Sequence, residues 1–305
     1  MFERYIVRLS NVLDVEPFSL PEPQFISLPD TRDLYREPSP LYLGLLDSYQ
    51  LRQCGLFQLI AERNSILGKV ADPFRRYDYH VSFVQLATQC LNEQQFEPEI
   101  NQALTEAIEV KSDELTSVHF SNLIWSSQVI RRQLTGVEWL AEGDLHNSAP
   151  VVDAFEALTA AFLGSYKQDW AVIPELVPHQ EVLEKQALVG NLIYSMSNAS
   201  HYLSMINLFL TQNLDTVRCG QGVDSTQYRY LNNVLNQQYI QTIQPYLADL
   251  NQLYYQLLEH TQFLNSPQLS HQLSLESVHN EFQDKIIEHV AQWQTLDQRC
   301  EVIPS

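Results

Sequence analysis

Glycine is scarce in this sequence, with nine in 305 residues. There is no Gly-rich phosphate-binding turn and no Gly-x-Ser-x-Gly elbow, so P-loop, dinucleotide-binding and α/β-hydrolase chemistry have no footing. Positive charge is scarce as well: 18 Lys and Arg stand against 37 Asp and Glu, a formal net charge of −19. Such a surface repels phosphate backbones and anionic headgroups, which argues against nucleic acid as a partner. No stretch approaches the roughly 20 apolar residues that span a bilayer. The four cysteines lack any CxxC pairing or neighbouring His, and the nine histidines contain no H-x-x-x-H. No metal and no cofactor is expected from them.

What is present is apolar and helical. Hydrophobic residues make up 45% of the chain, which suffices for a large core. The acidic excess is spread along the chain, as in a solvated surface. Glutamine is abundant without forming a run, and it falls on helical segments, where it supplies uncharged polar faces.

Residues 2–13 have the pattern of a short amphipathic helix, with Tyr5, Leu9, Val12 and Leu13 on one side. Six prolines between residues 14 and 43 exclude a continuous helix or a central strand there. The interleaved Phe18, Leu20, Phe25, Ile26 and Leu28 suggest an extended segment lying along the body. After residue 44 the apolar period is helical throughout, without sustained alternation. Helix starts are marked by Pro73, by Pro98 after Glu97, by the Thr-x-x-Glu capping box of "TGVE" at 135–138, and by Pro178.

Three seams follow in order. The first runs Leu192, Met196, Ala199, Leu203, Ile206 and Leu210. The second runs Ile243, Tyr246, Leu250, Leu253, Leu257 and Leu264, with His260 standing in the pattern. The third runs Leu275, Val278, Phe282, Ile286, His289 or Val290, Trp293 and Leu296. Pro245 should break or kink the helix that would otherwise run from about 225 to 264, or begin a new one. The expected fold is all-α, a bundle or array of roughly eight to ten helices. An N-terminal helix with its Pro-rich extension (1–43) packs on a helical domain (44–305) that has no clear internal boundary.

Cys54, Cys90, Cys219 and Cys300 allow three pairings. The stretch 44–68 reads as one apolar helix, and a second begins at Pro73 after the stop "ADP". Residue 72 lies midway between 54 and 90, and in an antiparallel helical hairpin residues equidistant from the turn are level. Cys54 should therefore meet Cys90, leaving Cys219 for Cys300. Each bridge would contribute roughly 3–4 kcal/mol and would persist in an oxidising compartment. Four reduced, buried thiols in a cytosolic protein are the other reading. Met1 leads into "FERYIVRLSNVL" with no signal-peptide core, which fits either a cytosolic chain or one whose leader has been removed.

The stretches "LGLLDSYQLRQCGLFQLIAERNSILGKV" (43–70) and "YIVRLSNVLDVE" (5–16), with the Pro-rich segment, resemble an uncharacterised family of proteobacterial cell-envelope proteins, catalogued as a domain of unknown function. The resemblance implies a lipoprotein facing the periplasm, membrane-attached only through a lipid anchor on an upstream Cys that this sequence lacks. It brings no catalytic residues.

Within "LIAERNSILG", Glu62 and Arg63 flank apolar positions at helical spacing. At least one should border apolar surface, where charge is costly unless paired. Two readings follow: a core tie with Asn64 satisfying the helix end, or a polar pocket of Asp47, Arg52, Glu62, Arg63, Asn64, Arg75 and Tyr77. The tie is the first choice. The paired arginines of "FRRYDYH" (74–80) and "VIRRQL" (129–134) read as solvated faces before they read as an anion or partner site, and the tyrosines of the C-terminal third as core packing before a groove. The expected function is non-enzymatic: binding or scaffolding an envelope partner. The alternative is a small-ligand binder or enzyme built around Glu62 and Arg63.

Overall fold

A computed structural model describes residues 1–23, 25, 27–40, 51–220 and 223–300. Among them the fold is all-α, with no strand. The helices are α1 (Phe2–Leu13), α2 (Thr31–Leu34), α3 (Leu56–Asn64), α4 (Ile66–Lys69), α5 (Pro73–Glu93), α6 (Pro98–Glu114), α7 (Ser121–Ser126) and α8 (Gln128–Leu134). There follow α9 (Glu142–His146), α10 (Ala149–Lys167), α11 (Val177–Lys185), α12 (Leu188–Asn213), α13 (Thr226–Val234), α14 (Gln244–Thr261) and α15 (Leu275–Cys300). Two π-wound stretches keep helices continuous: Leu115–Phe120 joins α6 to α7, and Leu235–Ile243 joins α13 to α14.

Helix α12 is the axis. Its seam residues Leu192, Met196, Ala199, Leu203, Ile206 and Leu210 are all buried, and so are Ile193, Tyr194, Asn198, Tyr202 and Phe209 on its other sides. A helix apolar nearly all round has to be enclosed. Helix α15 lies along it in the most extensive helix pairing of the molecule, and α8, α14 and α1 complete the casing. Most of the core is one contiguous cluster, while a smaller one forms under α3, α5 and α6 from Leu51, Leu56, Phe83, Val84, Ala87, Cys90, Ile100, Leu104 and Ala107.

The proline-marked starts hold. Asp72 caps α5, its carboxylate accepting from Phe74 N at 2.9 Å and Arg75 N at 3.2 Å. Pro98 opens α6, and Pro178 sits in the first turn of α11. That turn is capped from outside, because Asp78 accepts from Leu176 N at 3.0 Å and Val177 N at 2.9 Å. Pro245 lies in the first turn of α14, and the helix continues through it because the π winding before it re-registers the backbone bonds.

Two expectations are corrected. "TGVE" begins no helix: Thr135 ends α8, its hydroxyl donating to Arg131 O at 2.8 Å, and α9 starts only at Glu142. The constraint is Gly136, whose backbone passes so close to Gly190 of α12 that a Cβ on it would overlap the Gly190 carbonyl. The stretch 44–68 is not one buried helix over its described part. Leu51–Cys54 is a 3₁₀ turn, Gly55 adopts φ 80°, and α3 and α4 are short, with Ile66, Leu67 and Val70 exposed.

Both disulfides pair as expected, Cys54 with Cys90 from the hairpin spacing and Cys219 with Cys300 as the remaining pair. Cys54 and Cys90 have Cα atoms 5.5 Å apart, and Cys219 and Cys300 5.0 Å. The Pro-rich segment is fastened to the body by hydrogen bonds. Arg36 N donates to Asn122 Oδ1 at 2.9 Å, Arg36 Nη1 to Ser117 O at 2.6 Å and Gln268 O at 2.8 Å, and Arg131 Nη2 to Pro29 O at 2.7 Å. Leu34 is buried, and Phe18, Leu20 and Leu28 pack on the core from outside; Ile26 lies outside the described residues.

Replacing Gly190 or Gly136 by Ala forces two backbones apart. Each substitution is expected to destabilise by about 1–3 kcal/mol, read as a lower urea midpoint at unchanged slope.

Candidate functional site

Among the described residues the predicted polar pocket does not come together as one group. Asp47 lies outside the described residues. Arg52 is exposed, its guanidinium 5.1 Å from the Phe57 ring. Glu62 and Asn64 are exposed at the end of α3, so Glu62 ties no core together. The chain turns at Ser65, one residue after α3 ends, and Ile66 and Leu67 beyond it lie in solvent, while Leu59 packs on the smaller core. Arg75 is also exposed, 3.5 Å from Asp72. Tyr77 is buried and committed to packing: its hydroxyl donates to Ala161 O at 3.1 Å and bonds Ser165 Oγ at 2.6 Å. Burial drives its pKa well up, against the Ser165 bond.

Of the predicted members, Arg63 and Tyr77 line a cleft, and of the two Arg63 brings charge to it. Arg63 lines this cleft of about 70 Å³ with Arg76, His80, His119, Asn122 and Ser126, and Tyr35 and Pro38 of the Pro-rich segment form part of its rim. Its guanidinium donates to Gly68 O at 2.5 Å and lies 5.8 Å from the Tyr79 ring centroid. His80 of α5 and His119 stack with ring centroids 3.5 Å apart and planes 19° apart. The π winding of Leu115–Phe120 carries His119; such turns recur at functional sites. Behind the cleft Lys111, 3% exposed, donates to Glu114 Oε2 at 2.8 Å and to Ser39 O at 2.9 Å. Glu114 Oε2 is 3.6 Å from His119 Nε2, beyond hydrogen-bond reach.

Both rings are held neutral. Burial depresses His80 well below its ordinary value, helped by His119, Lys111, Arg63 and Arg76. Burial likewise takes His119 down to about 3, with Lys111 assisting and Glu114 opposing. Four polar atoms of the lining residues are buried without a hydrogen-bond partner: Arg76 Nε, His80 Nδ1, His119 Nε2 and Ser126 Oγ. Native interiors leave few such groups, so their concentration here is informative. The stretch "FRRYDYH" contained Arg76 and His80, whereas His119 and Ser126 were missed. Nothing in the helical period of "LTSVHF" announces a π turn.

A second polar cluster, at the third seam, is purely internal. His289 is fully buried and takes the seam position, while Val290 is partly exposed. Its Nδ1 meets Asn207 Oδ1 at 2.8 Å and its Nε2 meets the Tyr5 hydroxyl at 3.1 Å; Trp293 Nε1 donates to that hydroxyl at 3.1 Å. Burial lowers His289 to about 3. This network is the core tie that "AERN" does not supply. Of the C-terminal tyrosines, Tyr239 and Tyr254 are buried, while Tyr230 and Tyr255 are exposed.

Among the described residues the molecule is thus all-helical, with two disulfides and a cation-lined cleft. It belongs to the family described as "Protein of unknown function (DUF3080)", whose model matches residues 2–304. No curated protein matches the chain, and no solved structure does.

Exposed Glu62 should be dispensable for folding: Glu62→Ala is expected to change stability by no more than about 0.5 kcal/mol, measured by urea denaturation. The buried histidines have the opposite consequence. Their folded pKa values lie below the unfolded value of about 6.5, so the unfolded chain takes up protons first. The stability they contribute is complete above that value and is lost as pH falls toward about 3. The loss should run at roughly 1.4 kcal/mol per pH unit for each histidine. Urea midpoints taken from mildly alkaline pH down to the onset of carboxylate titration test this, and His289→Gln should flatten the slope.

Proposed function

We propose that this chain is the periplasm-facing ectodomain of an envelope lipoprotein and that it acts by binding an envelope component, not by catalysis. The observation that carries the reading is the use of all four cysteines in two disulfides. Both join segments far apart in sequence, and such bridges persist outside the reducing cytosol. Among the described residues no helix is long and apolar enough to cross a membrane, and on this reading a lipid anchor makes the attachment. The acidic surface is compatible with a soluble face turned to the periplasm. The competing idea of an acid–base site at Glu62 loses support because Glu62 is exposed. The polar cleft that does exist is lined by two arginines, and the nearby Glu114 carboxylate is already engaged by Lys111, which suits holding a ligand better than transferring protons.

Fractionation of the native cells with alkylation before and after reduction tests the proposal. Expected is a chain in the envelope fraction that takes up alkylating reagent at four cysteines only after reduction. Freely alkylated thiols in a cytosolic fraction would overturn it.

A further inference from the structure

We propose that the cleft between α3, α5 and the Leu115–Phe120 turn is a binding site for a phosphomonoester group. The proposal gives a ligand to the binding role above and rests on that reading; the titration below is independent of compartment, so the two fail separately.

On a chain of net charge −19, Arg63 and Arg76 come together from separate helices. Among the described residues neither has a carboxylate partner, while the nearby Lys111 is neutralised by Glu114. Two guanidinium groups without a carboxylate among the described residues, Arg63 engaged only by the Gly68 carbonyl and the Tyr79 ring, leave an excess of two positive charges there, which a dianion balances and a carboxylate does not. Guanidinium forks suit phosphate geometrically, giving paired, charge-assisted hydrogen bonds.

Hydrogen bonding points the same way. Arg76 Nε, His80 Nδ1, His119 Nε2 and Ser126 Oγ are groups able to donate, and all four lack partners. Each unmet group costs on the order of 1–3 kcal/mol when enclosed, a cost that a ligand with several acceptor oxygens offsets. A tetrahedral oxyanion presents acceptors in several directions at once, as donors from α5, the π turn and α7 require. The cleft's about 70 Å³ fits one such group and not the molecule bearing it. Tyr35 and Pro38 at the rim leave the bulk of a carried phosphate outside.

The overall negative charge then serves selection. It disfavours polyanions such as nucleic acids at long range, while a single phosphate inside the cleft meets the two arginines at contact distance.

The test uses the full chain with its disulfides intact, at mildly alkaline pH where phosphate is a dianion. Inorganic phosphate is titrated by calorimetry and by NMR of the histidine rings. Expected are one phosphate per chain and movement of the His80 and His119 signals while His289 stays fixed. Arg76→Gln and Arg63→Gln should each weaken binding by about tenfold or more. Arg75→Gln, next in sequence but exposed and beside Asp72, should leave it unchanged. Arg63 is only part-buried, so its variant keeps the test open if Arg76→Gln does not fold. Sulfate should compete and acetate should not. Glycerol 3-phosphate binding more tightly than phosphate would identify a phosphate carried on a larger molecule, and equal affinities would identify free phosphate. The proposal is overturned by unmoved His80 and His119 signals, by Arg75→Gln weakening binding as much as Arg76→Gln, or by acetate binding as well as phosphate.

Discussion

A 26-residue helix that is buried on nearly every side sets the terms for this fold. The backbone bonds of α12 are satisfied internally, but its side chains have almost no face to offer water, so other helices must surround it. Its polar positions show how closely. Asn207, fully buried, bonds His289 of α15 through its side chain, and its Nδ2 donates to Lys285 O at 3.1 Å. His289 in turn reaches Tyr5 of α1, so one three-residue chain of hydrogen bonds fixes the axis, its principal partner and the N-terminal helix together. In a low-dielectric core such a network is stabilising only when complete, which makes the relative positions of the three helices strongly specified. At the other end Gln133 does similar work: its Nε2 donates to Leu183 O at 2.8 Å and also to Gln186 O, and its Oε1 accepts from Val189 N. Helices α8, α11 and α12 meet there.

How much of this was legible in the sequence depends on how local the cause is. Seam spacing is local, and all six positions read for α12 are buried. Proline at a first helical turn is local, and Pro73, Pro98 and Pro178 sit where they were placed. The Cys54 to Cys90 pairing needed only a turn midway between them. Helix ends set by tertiary contact were illegible. "TGVE" has the letters of a capping box, yet the approach of Gly136 to Gly190 decides its conformation. Glu62 has apolar neighbours on both sides along the sequence, but the turn at Ser65 leaves those after it, Ile66 and Leu67, in solvent. Of the candidate site, Arg63 and Tyr77 reach the cleft that forms, and the stacked pair was hidden because His80 and His119 come from different helical segments.

The cleft also explains why the Pro-rich segment is pinned where it is. Arg36 and Ser39 bond residues of α7, the π turn and α6, bringing Tyr35 and Pro38 to the rim. The burial of Lys111 under this segment is tolerable because Glu114 and the Ser39 carbonyl accept hydrogen bonds from its ammonium. The segment therefore does two things at once: it satisfies a buried ammonium and walls a cation-lined recess.

The disulfides stand where burial alone is thin. Helix α3 fully buries only Leu56, and the smaller core under it is modest beside the cluster around α12. The Cys54–Cys90 bridge ties the turn just before α3 to α5, the helix that carries Arg76 and His80. Arg63 sits at the far end of α3, on a side chain that is only part-buried, so its position across from the histidine pair depends on how firmly α3 is held. A covalent link contributes the constraint that so few apolar contacts cannot, by removing chain entropy from the unfolded state and leaving the native packing unchanged. The second bridge does the same for the end of α15, where Cys300 meets the loop carrying Cys219. One chemical condition, an oxidising surrounding, thus preserves both the closure of the bundle at its C-terminal end and the wall of the cleft that Arg63 supplies.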